Sequence, residues 1–390
     1  MATRHDPNGE LSYKPVRILH ISSAQAPGGG ERHLADLANA LVAREHDVYA
    51  AVRPDSPLIG ELSQLPPENI ATFPLRNALD AQSARHLARF VRRHEIEIVH
   101  AHMARDYPLA AYATRRNSAT RLIITRHVLF PLNRLHTITL SRVARVIAVS
   151  EAVARQLRAQ GLAPRERIVV VPNGVDIQRF DNALLQFDRA EFCRQWKIPE
   201  NCLLAGTVGE IKSLKGHEDF LRAAARILRR FPNAQFLIAG ADTSRTKEHR
   251  AALTELIAKL DLGKHVHLFG WLDDIAQFYC ALDVFVSASQ TESFGLAIVE
   301  AMACGTAVVA TATEGAKEII ENGETGLLVA VGDVEALADT VTSLIDNADE
   351  QHRIGMFARE TARERFSLER MVDETEKIYQ ETLDERRTVR

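Results

Sequence analysis

The chain has 390 residues, 46% of them hydrophobic and 25% charged, with 48 Lys plus Arg against 51 Asp plus Glu. The resulting net charge of −3 and an aromatic content of 6% argue against a dedicated nucleic-acid binder, which needs a basic excess and stacking platforms. No run approaches the roughly 18 apolar residues of a membrane span, the opening MATRHDPNGELSYK lacks a signal peptide's apolar core, and the length suggests two domains.

Short apolar runs alternate with amphipathic stretches along the chain. Val16–Ser22, Asp47–Val52, Ile96–His100, Arg121–Thr125 and Val146–Val149 read as buried strands. Between and after them, Glu31–Arg44, Ala81–His94, Tyr107–Arg115 and Glu151–Gln160 carry a helical period. The pattern pauses over Val169–Phe192, where a Pro-Asn-Gly turn marks the expected linker. A second series follows, with strands at Leu203–Val208, Gln235–Ala239, Val266–Phe269, Val284–Ser287 and Ala307–Ala310. Its helices are expected at Lys215–Arg230, Arg245–Leu260, Phe294–Ala303 and Val334–Asp346, and Ser367–Thr388 is a charged amphipathic helix. Strand–helix alternation predicts two doubly wound α/β domains with parallel sheets and a cleft between them: 1–185, 186–366 and a terminal helix 367–390. Ligands in such sheets sit beyond the carboxyl ends of the strands.

Cys193, Cys202, Cys280 and Cys304 show no CxxC spacing and read as free, mostly buried thiols of a cytoplasmic protein. The first strand runs into Ala26-Pro27-Gly28-Gly29-Gly30-Glu31-Arg32, a glycine loop opening a helix, where backbone N–H groups can meet an anion. It matches neither the dinucleotide fingerprint nor a P-loop. Gly206-Thr-Val-Gly-Glu-Ile-Lys-Ser-Leu-Lys-Gly-His217 makes a similar junction in the second half, with Lys215 placed to neutralise a diphosphate and Lys212 to assist. The most informative string is Ser289-Gln-Thr-Glu292-Ser-Phe-Gly-Leu-Ala-Ile-Val-Glu300-Ala-Met-Ala-Cys-Gly305. Glu300 lies inside an otherwise apolar helix and needs a partner, which a ribose diol would supply. His127 follows a strand and is a candidate to share a proton or donate to a carbonyl near neutral pH. His100 and His102 are read as pointing to opposite faces of a strand, hence structural or cleft-lining residues and not a zinc site. Arg85, Arg89, Arg92, Arg93 and His94, with Arg115 and Arg116, form a basic cluster suited to anionic lipid or to water.

On these residues the chain resembles retaining glycosyltransferases of family 4, of the two-domain GT-B fold. The resemblance rests on Gly28-Gly29-Gly30-Glu31-Arg32-His33, Thr125-Arg126-His127, Val149-Ser150-Glu151, Pro172-Asn173-Gly174-Val175-Asp176 and Lys215-Gly216. Phe269-Gly270-Trp271, the Glu292–Glu300 string and Gly315…Glu318…Gly326-Leu-Leu-Val complete it. It implies transfer of a hexosyl unit from a UDP- or GDP-linked sugar to a hydroxyl acceptor in envelope polysaccharide, lipopolysaccharide or glycolipid synthesis. No cofactor and no metal are implied. His127, Lys215 and Glu292 take the catalytic roles. Donor binding falls to Gly29, Gly30, Gly209, Lys212, Lys215, Gly270, Trp271, Leu272, Glu292, Ser293, Phe294, Gly295, Leu296 and Glu300. Lys215 would hold the phosphates, Glu300 the ribose, and Gly270–Leu272 would lie near the base. The terminal helix is expected to cross back to the first domain. One position departs from the family's Gly-Arg…Lys-Gly pattern: Gly209 is followed by Glu210, leaving Lys212 or Arg126 as the substitute cation. The alternative is a non-catalytic sugar-nucleotide-binding protein; an epimerase or phosphorylase on the same fold is weaker, since no pyridoxal-type lysine signature is present.

Overall fold

A computed structural model describes residues 4–5, 11–12, 14–26, 28–115, 117, 119–272 and 274–388. Pro27 of the glycine loop and Arg116 of the basic cluster lie outside them. The chain divides into two units, Met1–Gly174 with Leu368–Arg390, and Val175–Ser367.

The first unit carries a short antiparallel pair, β1 (Arg4–His5) and β2 (Leu11–Ser12), and a seven-stranded parallel sheet. The sheet is built from β3 (Arg17–Ser22), β4 (Asp47–Val52), β5 (Ile70–Thr72), β6 (Ile98–Ala101), β7 (Arg121–Arg126), β8 (Arg145–Ala148) and β9 (Ile168–Val170). Their order is β5-β4-β3-β6-β7-β8-β9. The chain starts at β3, runs out to one edge, then returns to build the other, so the order reverses between β3 and β6, where His20 pairs with His100. These strands are apolar on both faces because helices cover both faces of such a sheet. Ile18, Leu19 and Ile21 are wholly buried.

The second unit repeats the plan with six parallel strands: β10 (Leu204–Val208), β11 (Gln235–Ala239), β12 (Val266–Leu268), β13 (Val284–Ser287), β14 (Ala307–Thr311) and β15 (Leu327–Val329). Here the order is β12-β11-β10-β13-β14-β15, reversing between β10 and β13. Its core joins Phe220, Leu221 and Ile227 from the helix His217–Ile227 to Phe236, Ile238, Val284 and Val309 of the sheet.

The expected linker Val169–Phe192 is ordered structure: it holds most of β9, the helix Ile177–Gln186 and the first half of the helix Arg189–Trp196. The division falls after Gly174 and not at 185, because the helix Ile177–Gln186 packs within the second unit. Phe180 meets the Tyr279 ring edge-on at 6.2 Å, and Asp181 pairs with Arg359 at 2.7 Å. The terminal helix Leu368–Thr388 groups with the first unit. There Met371, Val372, Ile378, Tyr379 and Leu383 join the core around Ile18, Leu34 and Leu41. Glu376, buried on the same helix, accepts from His46 at 2.7 Å and pairs with Arg44. Among the described residues no helix is long and apolar enough to cross a membrane.

Candidate active site

In the second unit the loops leaving β10 and β13 lie side by side at the reversal point, where doubly wound sheets hold their ligands. Glycine makes the approach possible. Gly216 has φ +67°, and a Cβ there would stand 1.8 Å from the Ala288 carbonyl oxygen. Gly240 comes as close: its Cβ would meet the Gly209 carbonyl oxygen at 1.9 Å. The Gln290 N–H donates to the Leu214 carbonyl at 2.9 Å and stitches the two loops. Lys215 thereby reaches Glu292 at 2.5 Å, and the Ser289 hydroxyl donates to the same carboxylate oxygen at 2.9 Å. The helix expected from Lys215 begins at His217, because left-handed Gly216 ends the short 3-10 turn Ser213–Lys215 and caps the helix His217–Ile227.

Glu210, the departure from the family pattern, is neutralised within its own loop. Lys212 donates to it at 2.5 Å, and the Thr243 hydroxyl donates to its other oxygen. Burial pushes the Glu210 carboxyl up, but these hydrogen bonds and the nearby Lys215 charge outweigh it and hold the group below the ordinary glutamate range. Lys212 is therefore engaged by Glu210. Arg126, the other substitute cation considered, belongs to the first unit and donates to the Phe130 carbonyl.

After Glu292 the chain turns at Gly295, φ +116°, into the helix Leu296–Ala303. Phe294 is buried edge-on against Phe366 at 5.7 Å. Gly315, whose Cβ would stand 2.3 Å from the Phe294 carbonyl oxygen, lets the next loop press on this turn and donates its N–H to Glu292 O at 3.1 Å. Glu300, one side of an apolar helix, accepts from the Tyr279 hydroxyl at 2.7 Å. Burial first, then the Glu300 charge, raises the Tyr279 phenol well above its usual value, so it stays a donor. Gly270 is open on its Cα side and its carbonyl accepts from Gly240 N–H at 3.1 Å, which ties the Gly270–Leu272 segment to the loop of Gly209. Trp271 is about half-exposed. Gly209, Lys212, Lys215, Gly270, Glu292, Ser293, Phe294, Gly295, Leu296 and Glu300 thus share the carboxyl edge of one sheet.

In the first unit Gly29 and Gly30 open the helix Gly29–Ala43, with Gly28 extended before it. The position of a Gly30 Cβ lies 3.5 Å from the His127 ring, so the loop and the histidine are neighbours. Burial, then His33 and Arg126, hold the His127 pKa well below 6.5. That direction favours the neutral ring, which can donate or accept a hydrogen bond. One expectation is corrected at His100 and His102: their ring centroids are 4.2 Å apart. Residues two apart on a strand point to the same face, not to opposite ones.

Family models match both halves of the chain: Glycosyltransferase Family 4 over residues 27–179 and Glycosyl transferases group 1 over 188–361. The chain belongs to the group 1, family 4 glycosyltransferases.

N-acetyl-alpha-D-glucosaminyl L-malate synthase of Bacillus anthracis is 26% identical over 78% of this glycosyltransferase and 80% of its own length. D-inositol 3-phosphate glycosyltransferase of Geodermatophilus obscurus is 29% identical over 99% and 93%. A glycosyltransferase structure from Rickettsia africae aligns with a TM-score of 0.83 at 27% identity, covering 95% of this chain and 99% of that one. Anabaena HepE in complex with UDP and glucose shares the fold, with a TM-score of 0.81 at 24% identity over 93% and 98%. The architecture is that of GT-B glycosyltransferases. Sequence reasoning left out Ser289, Thr243 and Tyr279, which hold Glu292, Glu210 and Glu300 in place. Ser289 opens the quoted string and was within reach; Thr243 and Tyr279 gave no local signal.

Proposed function

We propose that this glycosyltransferase moves a hexosyl unit from a nucleotide-diphosphate sugar, UDP-linked before GDP-linked, to the hydroxyl of a saccharide or lipid-linked acceptor, with retention of anomeric configuration. The observation that carries the reading is the ammonium–carboxylate pair of Lys215 and Glu292 at the strand-order reversal of the second unit, beside the amides that open the helix of Glu300. Lys215 takes the phosphates, exchanging part of its contact with Glu292 for the ligand. Glu300, oriented by Tyr279, accepts from ribose hydroxyls. The N–H groups around Ser293, Phe294 and Gly295 meet the diphosphate, and Glu292 turns to the sugar. His127 of the first unit contributes a neutral ring N–H to the donor sugar. Charge developing on the leaving diphosphate is met by Lys215 and by fixed amide dipoles, which need no reorganisation during the reaction and no resident metal or cofactor. The pairing of Glu210 with Lys212 and Thr243 removes the repulsion that spoke for a non-catalytic role.

The site of action in this reading is the cytoplasmic face of a membrane, in envelope polysaccharide or glycolipid synthesis. Exposed Arg85, Arg89, Arg92 and Arg93 on the helix Ala81–Arg93 support contact with anionic lipid. Sedimentation that does not depend on anionic lipid removes the membrane part. The donor is tested by thermal shift against UDP, GDP, ADP and their sugar conjugates, since a ligand of the folded state raises the melting temperature selectively. Stabilisation by a nucleotide sugar, followed by transfer that is lost in Lys215→Ala, is the expected result; no response to any of them overturns the reading.

A further inference from the structure

Five histidines meet at the strand-order reversal of the first unit: His20 on β3, His100 and His102 at the end of β6, His33 on the helix Gly29–Ala43 and His127 just past β7. His20, His33, His100 and His102 are buried. A neutral imidazole carries one donor and one acceptor, and buried ones normally find partners for both. Here the pairing is uneven. His100 is satisfied on both sides, by the Tyr379 hydroxyl at 2.6 Å and the Thr125 hydroxyl at 2.7 Å. His102 Nε2 faces His20 Nδ1 at 3.0 Å. Both ring nitrogens of His33, both of His127, Nδ1 of His102 and Nε2 of His20 are buried without a hydrogen-bond partner.

Three of these rings converge. One ligand atom from each of His33, His102 and His127 falls within 4.8 Å of the other two. The ring centroids lie 4.8 Å (His33–His127), 5.8 Å (His33–His102) and 5.8 Å (His102–His127) apart. Three imidazoles bound tetrahedrally at about 2.0–2.1 Å put their nitrogens about 3.4 Å apart and their ring centres about 5 Å apart. The rings already have the required spacing, and modest side-chain rotation brings the nitrogens in.

We propose that His33, His102 and His127 form a binding site for a borderline transition-metal ion of the Zn2+ or Co2+ class, with His20 as the partner that orients His102. An all-imidazole donor set selects such ions over Mg2+ and Ca2+, which demand oxygen ligands. The His102–His20 contact has the form of an outer hydrogen bond to a ligating ring, the device that sets tautomer and orientation at metal-bound histidines. Asn173, its buried Oδ1 also unpartnered, lies beside His33. The alternative triad of His20, His100 and His102 would have to break a hydrogen bond of His100. Three neutral ligands leave a fourth position open and the ion's charge intact. An ion there also occupies His127, so metal loading and the sugar contact given to His127 exclude each other; that consequence rests on the proposed transferase reading, while the binding claim does not.

The test uses the full chain stripped of metal and titrated with Co2+, followed by visible d–d absorption, with Zn2+ as competitor. One ion per chain is expected, with a tetrahedral nitrogen-ligated spectrum. His33→Ala and His127→Gln weaken it by about 10- to 100-fold or more, His20→Ala by about 10-fold or more, and exposed His352→Ala leaves it unchanged. His127→Gln nearly keeps side-chain volume at a half-buried position, so it decides the matter if a deeper variant fails to fold. Absence of saturable binding, or binding indifferent to His33→Ala and His127→Gln, overturns the site. A chain that binds the ion but, stripped of it, transfers no sugar keeps the site and loses the transferase reading; transfer by the metal-free chain together with no saturable ion binding does the reverse.

Discussion

Gly216→Ala is the sharpest probe of the second-unit site. The added Cβ would sit 1.8 Å from the Ala288 carbonyl oxygen, whereas a carbon–oxygen contact needs about 3.3 Å, so the loops after β10 and β13 must separate by about 1.5 Å. A side chain in left-handed backbone costs about 1–2 kcal/mol in addition. The separation breaks the 2.9 Å bond from Gln290 N–H to Leu214 O and opens the 2.5 Å contact of Lys215 with Glu292. Those two losses cost about 2–4 kcal/mol together, one being neutral and one charge-assisted. The sum is about 3–6 kcal/mol, and a domain of this size loses about 2–4 °C of melting temperature per kcal/mol. Calorimetric melting of the variant should show the second unit falling by at least about 6 °C, with weakened UDP binding in a parallel titration. Gly263→Ala, at a glycine with open space and ordinary φ, is the control and should stay within about 0.5 kcal/mol. A Gly216→Ala protein that melts within about 1 °C of the parent and binds UDP equally well would refute the close-approach argument.

Lys215→Ala should weaken UDP binding by about 10- to 150-fold, the worth of one charge-assisted contact, while leaving uridine binding nearly unchanged; equal losses for both ligands would remove the phosphate role. Burial lowers His217 to about 4, so between pH 6.5 and about 4 the unfolded chain binds a proton that the folded chain refuses. Stability is complete above pH 6.5 and declines as pH falls, by about 1.4 kcal/mol per pH unit from this group; denaturant titrations of parent and His217→Gln at pH 7 and 5 should differ in that slope, and identical slopes count against it. Glu376→Ala strands Arg44 and buried His46 under the terminal helix and should cost about 3–5 kcal/mol in urea unfolding, a change under about 1 kcal/mol being incompatible with a buried network.

The parallel strands were legible as continuous apolar runs because both their faces are covered. Gln235–Ala239 and Val284–Ser287 coincide with β11 and β13 to the residue. The three-residue edge strands Ile70–Thr72, Ile168–Val170 and Leu327–Val329 went unread, whereas the equally short edge strand Val266–Leu268 was found because its apolar run continues through Phe269. Residue types at strand ends likewise marked Lys215, Glu292 and Glu300. Their partners did not follow from local pattern. Lys215 and Glu292 stand 77 positions apart and meet because β10 and β13 are neighbours in the sheet. Tyr279 reaches Glu300 from the preceding helix, and the five histidines converge from three strands and a helix whose adjacency is a property of topology. Composition and periodicity encode which residues leave water and on what kind of element. Which side chains then touch depends on strand order and crossover, and these are settled by packing the whole sheet, where contacts distant in sequence are made at once.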